Sequence, residues 1–218
     1  MKTKSITLLI TGTFLLSSCA IGTNFTRPQP GALSVGHSHY SDVVNLLGNP
    51  RFPPREEIIN GEKIQTTDYA FYKTAKFVGL VSPSRFMHLT FHNDMLVGEE
   101  YTSSFEEDST KFNVDRVFSL VNRKSTKEDV ISALGKPSGE IIYPLVKDKS
   151  GIGLVYWYSE FRPKYIGASG KTYRLIVFLD ANNVVTDISY KEDYGKEQFR
   201  DHVTSKPTAT VPIQPITY

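Results

Sequence analysis

The sequence predicts an α+β fold built from two tandem copies of one helix-on-antiparallel-sheet module, each with an ααβββ-like order. A helical phrase, SDVVNLLGNP at 41–50, recurs as EDVISALGKP at 128–137, 87 positions further along the chain. Strand-like segments follow both copies at nearly the same offset. About 200 residues remain once an N-terminal leader is set aside, which is enough for one sizeable domain or two small ones.

The first eighteen residues are typical of a secretory signal peptide (1–18). Lys2 and Lys4 precede an apolar run of eleven residues at 6–16, whereas a transmembrane helix needs about 20. The run ends in LLSSC, where small residues precede Cys19, the single cysteine of the chain. This ending resembles a bacterial lipobox, which implies that Cys19 is diacylated and becomes the mature N-terminus. An ordinary signal peptide with an incidental cysteine is the alternative interpretation.

The residue after the cysteine bears on which membrane holds the protein. Ala20 stands where an Asp would favour retention in the inner membrane. The lipobox resemblance therefore implies a lipid-anchored protein of the outer membrane that faces the periplasm. Removing Lys2 and Lys4 from the 25 basic residues leaves 23, equal to the number of acidic residues. This balance gives no reason to expect a nucleic acid partner; the expected partners are the membrane, through the lipid, and an envelope protein.

Two flanking segments differ in composition from the rest of the chain. Residues 19–34 contain the cysteine and two prolines with little periodicity, and we interpret them as a tether between lipid and domain. Residues 195–218 are polar and contain three prolines, which is typical of a disordered tail. The first module then spans 35–108 and the second spans 109–194.

Each helical phrase carries its own start and stop signals. In the second copy, Ser125 and Glu128 have the spacing of a capping box, and apolar residues at i, i+1 and i+4 form one stripe. Gly135 ends the helix and Pro137 prevents its continuation. A further helix is predicted over 110–121. The repeat motif positions are Ser38, Asp42, Gly48 and Pro50 in the first copy and Ser125, Asp129, Gly135 and Pro137 in the second.

The segments after each helix alternate apolar and polar residues and are rich in β-branched and aromatic types, as half-buried strands are. Each module therefore contains three or four antiparallel strands. Trp157, the single tryptophan, is expected in the core, with a surface anchor as the alternative. The matched segments are DYAFY (68–72) with VYWYS (155–159), FMHLTF (86–91) with YRLIVF (173–178), and MLVGEEY (95–101) with NVVTDISY (183–190).

The order of these motifs resembles the SmpA/OmlA family of BamE-like lipoproteins, which serve outer-membrane protein assembly. The shared pattern is S-x-x-x-D-V-x-x-x-L-G-x-P, then a strand with an aromatic pair, then F-x-D-x-x-x-V. It covers most of 34–105 and 112–192. The tandem arrangement is also similar to the architecture of β-lactamase inhibitory proteins. The resemblance implies helices laid on an antiparallel sheet, twice, and by itself it implies no activity.

The motifs that would indicate catalysis or metal binding are incomplete. GASGKT (167–172) is not a phosphate loop, because Tyr165 occupies the position of its first glycine and a strand follows. His88 and His92 share one strand face without a third ligand at suitable spacing. We therefore predict no enzyme activity, no metal and no cofactor. A hydrolase becomes an option only if a polar pocket holds a carboxyl group with a strongly shifted pKa.

A short pattern in the loops is a candidate contact. Lys, an aromatic, a β-branched residue and Gly recur as KFVG (76–79) and KYIG (164–167), each in the connection between two strands. An aromatic beside a lysine suits a protein partner or a membrane interface. The alternative is that these side chains fold back and cover the end of each sheet. The predicted partner-contact residues are Lys76, Phe77, Val78, Lys164, Tyr165 and Ile166.

Together these features predict a non-catalytic outer-membrane lipoprotein. We expect it to act as a scaffold or accessory factor in cell-envelope or outer-membrane protein assembly, through protein–protein contacts. The alternative is an inhibitor or ligand-binding module resembling the β-lactamase inhibitory protein. The first function predicts a complex held at the membrane, whereas the second predicts an aromatic surface that binds a purified enzyme or ligand.

Overall fold

The computed structural model describes residues 20–120 and 122–194. The predicted signal peptide, the predicted lipidation residue Cys19, Val121 and the predicted tail at 195–218 lie outside the described residues. The α-helices are α1 (Tyr40–Leu47) and α2 (Lys127–Leu134), and two 3-10 helices span Glu106–Asp108 and Val114–Ser119. The strands are β1 (Ala20–Ile21), β2 (Arg55–Ile59), β3 (Glu62–Lys73), β4 (Ser84–His92), β5 (Met95–Ser103), β6 (Gly139–Ile141), β7 (Ile152–Pro163), β8 (Ala168–Leu179) and β9 (Val185–Tyr194).

All nine of these strands belong to one antiparallel sheet. Its order is β1-β3-β4-β5-β6-β7-β8-β9, and β2 pairs with another part of β3. Hairpin connections join β3 to β4, β4 to β5, β7 to β8 and β8 to β9, so chain neighbours are also sheet neighbours. The three-residue strand β6 is hydrogen-bonded to β5 on one side and to β7 on the other. It therefore joins the two halves of the sheet.

This architecture shows that the predicted fold class is wrong. The chain is 46% strand and 14% helix with nine strands in one sheet, so it is a mostly antiparallel β protein rather than an α+β module repeated twice. The individual strands predicted after each helical phrase are confirmed as β3–β5 and β7–β9. Their assembly differs because β6 continues the hydrogen bonding from β5 to β7. The helices are also short, with eight residues each.

The two helical phrases form α1 and α2, and each helix ends at a glycine. Gly48 and Gly135 adopt φ values of 81° and 84°, a region that favours glycine. In each half a tyrosine of the sheet holds this end. The Tyr69 hydroxyl donates to the Gly48 carbonyl over 2.7 Å, and the Tyr156 hydroxyl donates to the Gly135 carbonyl over 2.9 Å. These bonds fix the C-terminus of each helix against the sheet.

The helix N-termini differ from the predicted capping box by one residue. Thr126, rather than Ser125, is the N-cap of α2, and its hydroxyl accepts a bond from the Asp129 N–H. The Asp129 carboxylate accepts in turn from the Thr126 N–H over 2.9 Å. In α1, Asp42 accepts from the His39 N–H over 2.8 Å. In both helices the repeated Asp therefore accepts the bond from the N-cap N–H. The sequence pattern assigns this role in α2 to Glu128, one position earlier.

Both α-helices pack on the same face of the sheet. Val43 of α1 belongs to one core cluster and Val130 of α2 belongs to another. Residues opposite each other in neighbouring strands point to the same face. The cross-strand partners can be followed from β4 through β5 and β6 to β7. They lead from Leu89 of the first cluster to Leu154 of the second, so both clusters lie on one face of the sheet. The opposite face is therefore left without a helix.

Two other segments lie against the helix-covered face. Residues 20–34, predicted as a tether, include β1 and place Phe25 against the core cluster under α1. In the region 110–121, predicted as a helix, the described residues 110–120 contain only the 3-10 helix already described, and Thr110 is bonded to the Ser103 and Trp157 carbonyls of the sheet instead. That 3-10 helix adds Val117 to the core cluster under α2. Both segments increase the apolar contacts on this one side.

The junction between β5, β6 and β7 is closely packed. At Gly139, a Cβ would overlap the carbonyl oxygen of Glu99, so a larger residue does not fit without moving the backbone. Ser138 bridges the same junction, because its carbonyl accepts from the Tyr101 N–H and its hydroxyl accepts from the Trp157 N–H. The continuity of the sheet therefore depends on small residues at this point.

Substituting Gly139→Ala should lower the free energy of unfolding by about 1–3 kcal/mol, because the added methyl group is forced into closely packed backbone. The matched control is Gly170→Ala in β8, where the new Cβ would meet the Glu160 carbonyl oxygen at an ordinary 3.6 Å. The control should change stability by less than about 0.5 kcal/mol. Urea unfolding followed by circular dichroism measures both effects. Equal losses in the two variants would contradict the close packing of the junction.

Candidate binding surfaces

The sheet face opposite the helices is only partly covered. At one end, the connection between β6 and β7 lies over it, with Val146 in a small core cluster that includes Ile141 and Val155. Neither α1 nor α2 contributes to this face. We call its uncovered part the open face and define it by Asp68, Phe86, His88, Glu100, Trp157 and Arg174.

Two aromatic side chains lie together on the open face. Phe86 of β4 and Trp157 of β7 make an edge-to-face contact, with ring centroids 5.3 Å apart. Both side chains are half-buried. Trp157 borders the small cluster around Val146 and keeps part of its ring on the surface. Trp157 is therefore neither fully in the core nor fully on the surface, which were the two predicted alternatives.

A largely buried ion pair crosses the junction of the two halves. Arg174 of β8 donates from Nε and Nη2 to the two carboxylate oxygens of Glu100 in β5, each over 2.9 Å. Glu100 is only 6% exposed, so this two-point bonding compensates for its lost hydration. Glu99 and Glu100 lie in the interior of β5, inside the segment 95–101 that the sequence pattern predicts as a strand.

A second set of charges lies on the same face. One oxygen of Asp68 is 2.6 Å from His88 Nδ1, and the other accepts a 2.7 Å bond from Arg55. Burial acts to raise the pKa of Asp68, but the hydrogen bond with His88 and the electrostatic contributions of His88 and Arg55 outweigh it and lower the pKa. Asp68 is therefore ionised at neutral pH, and the Arg55 guanidinium balances its charge.

The two histidines of β4 occupy the face expected from strand alternation, since Met87 is buried on the other side. They are held by separate carboxylates, because His92 Nε2 lies 3.2 Å from Glu62 while His88 contacts Asp68. Within residues 20–120 and 122–194, no group of three or more His, Cys, Asp or Glu is arranged to hold a metal ion. The histidines therefore act here as partners of single carboxylates.

A carboxyl group with a raised pKa lies on the helix-covered face. Burial raises the pKa of Glu99, the charges of Arg27 and Lys136 oppose this rise, and the charge of Glu140 adds to it. Glu99 lines a hollow of about 130 Å³, whereas small-molecule pockets usually measure roughly 300–1,000 Å³. No Ser, His or Cys lines this hollow. The hollow therefore offers Glu99 no nucleophile or base to act with, and it gives the hydrolase alternative no support.

The loops with the recurring KFVG and KYIG sequences lie next to each other. The Gly79 N–H donates to the Pro163 carbonyl over 2.8 Å, and the Ser82 N–H donates to the Phe161 carbonyl over 2.8 Å. The β3–β4 and β7–β8 connections are thus joined by backbone hydrogen bonds. We call residues 73–83 and 161–171 the hairpin tips.

All six predicted contact residues lie on the surface of the hairpin tips. Phe77 is 71% exposed, and Tyr165 and Ile166 are 95% and 86% exposed. Leu80 is exposed as well, so apolar surface is present on both sides of the contact between the tips. Because these side chains are exposed, they do not fold back over the end of the sheet as the alternative interpretation expects.

The sequence pattern identifies the hairpin tips but not the open face. The tips are recognisable because one short pattern recurs in loops that are otherwise dissimilar. The open face depends on the register between β5, β7 and β8, which no local pattern contains. One signal was available: Glu100 and Arg174 are charged residues inside strands with alternating apolar residues, and such residues are rarely buried unless they are paired.

Comparison with known proteins adds no family to this description. No protein-family model, no curated protein and no solved structure matches the chain. The resemblance to the SmpA/OmlA family therefore depends on the motifs alone and stays a prediction. In the described part of the chain, no helix has the length and apolar character needed to cross a membrane.

Substituting Arg174→Met should lower the free energy of unfolding by about 2 kcal/mol, because Glu100 would stay buried without its partner. Adding Glu100→Gln should restore a large part of the loss, since a neutral amide is less costly to bury than a carboxylate. The control is Lys63→Met, which breaks an exposed contact with Glu56 and should cost less than about 1 kcal/mol. Denaturant titration of the variants gives these values. A double variant no more stable than Arg174→Met would contradict the assigned pairing.

Proposed function

We propose that the protein is a non-catalytic lipoprotein of the outer membrane that binds another envelope protein. It acts as a scaffold or accessory factor in envelope or outer-membrane protein assembly. The observation that carries the binding function is the open face, which combines an aromatic pair with fixed charges where no helix covers the sheet. The envelope location is supported by the lipobox-like sequence that ends at Cys19.

The chemistry of the open face suits a protein partner. Aromatic and arginine side chains contribute a large share of the binding energy at many protein interfaces. The pairs Glu100–Arg174 and Asp68–His88 are formed within the chain itself, so binding does not have to order these side chains. Fixed charges beside an apolar centre favour one orientation of the partner and oppose others.

Lipidation at Cys19 is tested on the precursor. Globomycin, which inhibits lipoprotein signal peptidase, should cause the unprocessed form to accumulate. Cys19→Ser should abolish palmitate incorporation, because the chain has no second cysteine to accept a thioether-linked diacylglycerol. Density-gradient separation should place the wild-type protein in the outer-membrane fraction. Normal processing in the presence of globomycin would contradict the assignment as a lipoprotein.

The open face is tested by combining Phe86→Ala with Trp157→Ala. Loss of both aromatic contacts should weaken the complex by about 30-fold or more, as expected when interface hot spots are removed. The lipidated mature protein is purified from detergent-solubilised envelopes, and mass spectrometry quantifies the protein that co-purifies.

The matched control for this test is Phe52→Ala with Phe118→Ala, two exposed aromatic residues outside the open face. The control should retain the co-purifying protein, and circular dichroism should show that both double variants are folded. If the open-face variant and the control retain the same protein equally, the open face is not the binding surface.

Enzyme inhibition is a second candidate function, and the same aromatic pair favours it because rigid aromatic groups can fill a cleft of another protein. It predicts that unlipidated residues 20–218 bind a purified secreted hydrolase in solution, such as the β-lactamase that the architectural resemblance implies. The scaffold function predicts instead a complex that forms in the envelope and depends on Cys19.

A further inference from the structure

The hairpin tips present apolar side chains to solvent at one end of the sheet. Phe77, Val78 and Leu80 are exposed on one tip, and Tyr165 and Ile166 are exposed on the other. Large apolar side chains grouped at a loop end are costly to leave in water and indicate a contact surface. Because backbone hydrogen bonds join the tips at Gly79 and Ser82, the two loops form one surface.

The charges on the hairpin tips have one sign. The ranges 73–83 and 161–171 contain five basic residues and no acidic residue. The nearest acidic side chain along the strand, Glu160, is paired with Arg162, which also donates to the Gly79 carbonyl. The basic residues are Lys73, Lys76, Arg162, Lys164 and Lys171. Apolar side chains beside lysines and arginines are the composition of segments that settle in the headgroup region of anionic membranes.

The start of the described chain lies at the same end of the molecule. β1 pairs with the last residues of β3, so that Ala20 stands opposite Lys73, the first residue of the tips. Cys19 lies outside the described residues, but it is bonded to Ala20, and consecutive Cα atoms are about 3.8 Å apart. A lipid on Cys19 therefore begins within a few residues of the exposed tips.

We propose that the hairpin tips seat in the anionic phospholipid surface that also holds the lipid of Cys19. The proposal rests on the proposed lipid anchor for the second contact, while the tips themselves bind the surface through Phe77, Tyr165 and the surrounding basic side chains. Acyl chains on one residue and a basic, apolar patch are two membrane signals, and two signals hold a protein more firmly than one. The tips thus fix which end of the sheet faces the membrane.

The lengths of β7 and β8 give the distance that the sheet would extend from the membrane in this orientation. β7 and β8 each have twelve residues and start or end at the tips. An extended strand rises about 3.3 Å per residue, so they reach about 40 Å from the membrane end. The open face then lies along this length, with Trp157 partway along β7. A partner in the periplasm reaches it from the side.

The tips are tested with residues 20–218, which contain every described contact of the fold and lack the lipid. Binding to vesicles of phosphatidylglycerol with phosphatidylethanolamine is measured by co-sedimentation and compared with vesicles of phosphatidylcholine. Binding should occur on the anionic vesicles and should weaken with added salt. Lys76→Glu with Lys164→Glu should weaken it by at least about tenfold. Phe77→Ser with Tyr165→Ser should weaken it by a similar factor, because the aromatic area is lost.

Matched controls change the same residue types elsewhere. Lys124→Glu with Lys147→Glu alters two exposed lysines at the opposite end of the strands. Phe52→Ser with Phe118→Ser alters two comparably exposed aromatic residues. Both controls should bind within about twofold of wild type, since they leave the tip surface unchanged. No binding of the wild-type chain, or equal losses in tip variants and controls, would overturn the proposal.

A second measurement uses the lipidated mature protein in vesicles of brominated phospholipid. A single tryptophan is placed by Tyr165→Trp in a Trp157→Phe background, and the control is Phe118→Trp in the same background. Bromine should quench the fluorescence at position 165 and leave the control position bright. If position 165 is not quenched while globomycin still blocks processing, the tips do not touch lipid but the lipoprotein assignment stands. If the unlipidated chain binds vesicles but Cys19 is not acylated, the tip contact stands and the anchor fails.

Discussion

The rest of the structure depends on the close approach of β5 and β7 through β6. β6 has only three residues, and it carries the strand pairing that continues the sheet from β5 to β7. Gly139 is needed there because a Cβ would overlap the Glu99 carbonyl oxygen. Beyond Gly139, Thr110 donates a hydrogen bond to the Trp157 carbonyl, and Thr102 accepts from the Ser159 N–H. Without this junction, each half would expose an unpaired strand edge, which is prone to association.

The continuous sheet also explains how the open face, the candidate binding surface, arises. Because α1 and α2 lie on the same face, the other face is shared by both halves and spans the junction. Glu100 and Phe86 come from the first half, and Arg174 and Trp157 come from the second. Neither half alone contains the aromatic pair or the ion pair. The candidate site is therefore a consequence of joining the halves, and it lies across the junction rather than within one half.

This dependence shows what the sequence could and could not predict. Gly48 and Gly135 were recognisable because helix ends need a residue tolerant of positive φ, and β4 was recognisable because Met87 and Leu89 alternate with polar residues. The fold class was not recognisable, because β6 is three residues, GEI, without a strand pattern of its own. The hairpin tips could be found from local repetition. The open face could not, because it requires cross-strand pairs such as Trp157 with Arg174.

The direction of the strands relates the hairpin tips to the open face, because the tips lie at one end of the strands and the open face runs along them. A lipid at Cys19 alone would leave the sheet free to rotate about a single attachment, and every orientation of the open face would be sampled. Hairpin tips bound to the membrane beside that attachment would remove much of this freedom, and a partner would then lose less orientational entropy on binding. The hydrogen bonds between the tips, from Gly79 to Pro163, join one hairpin of each half. The same two halves that build the open face therefore also build the surface that would hold it upright.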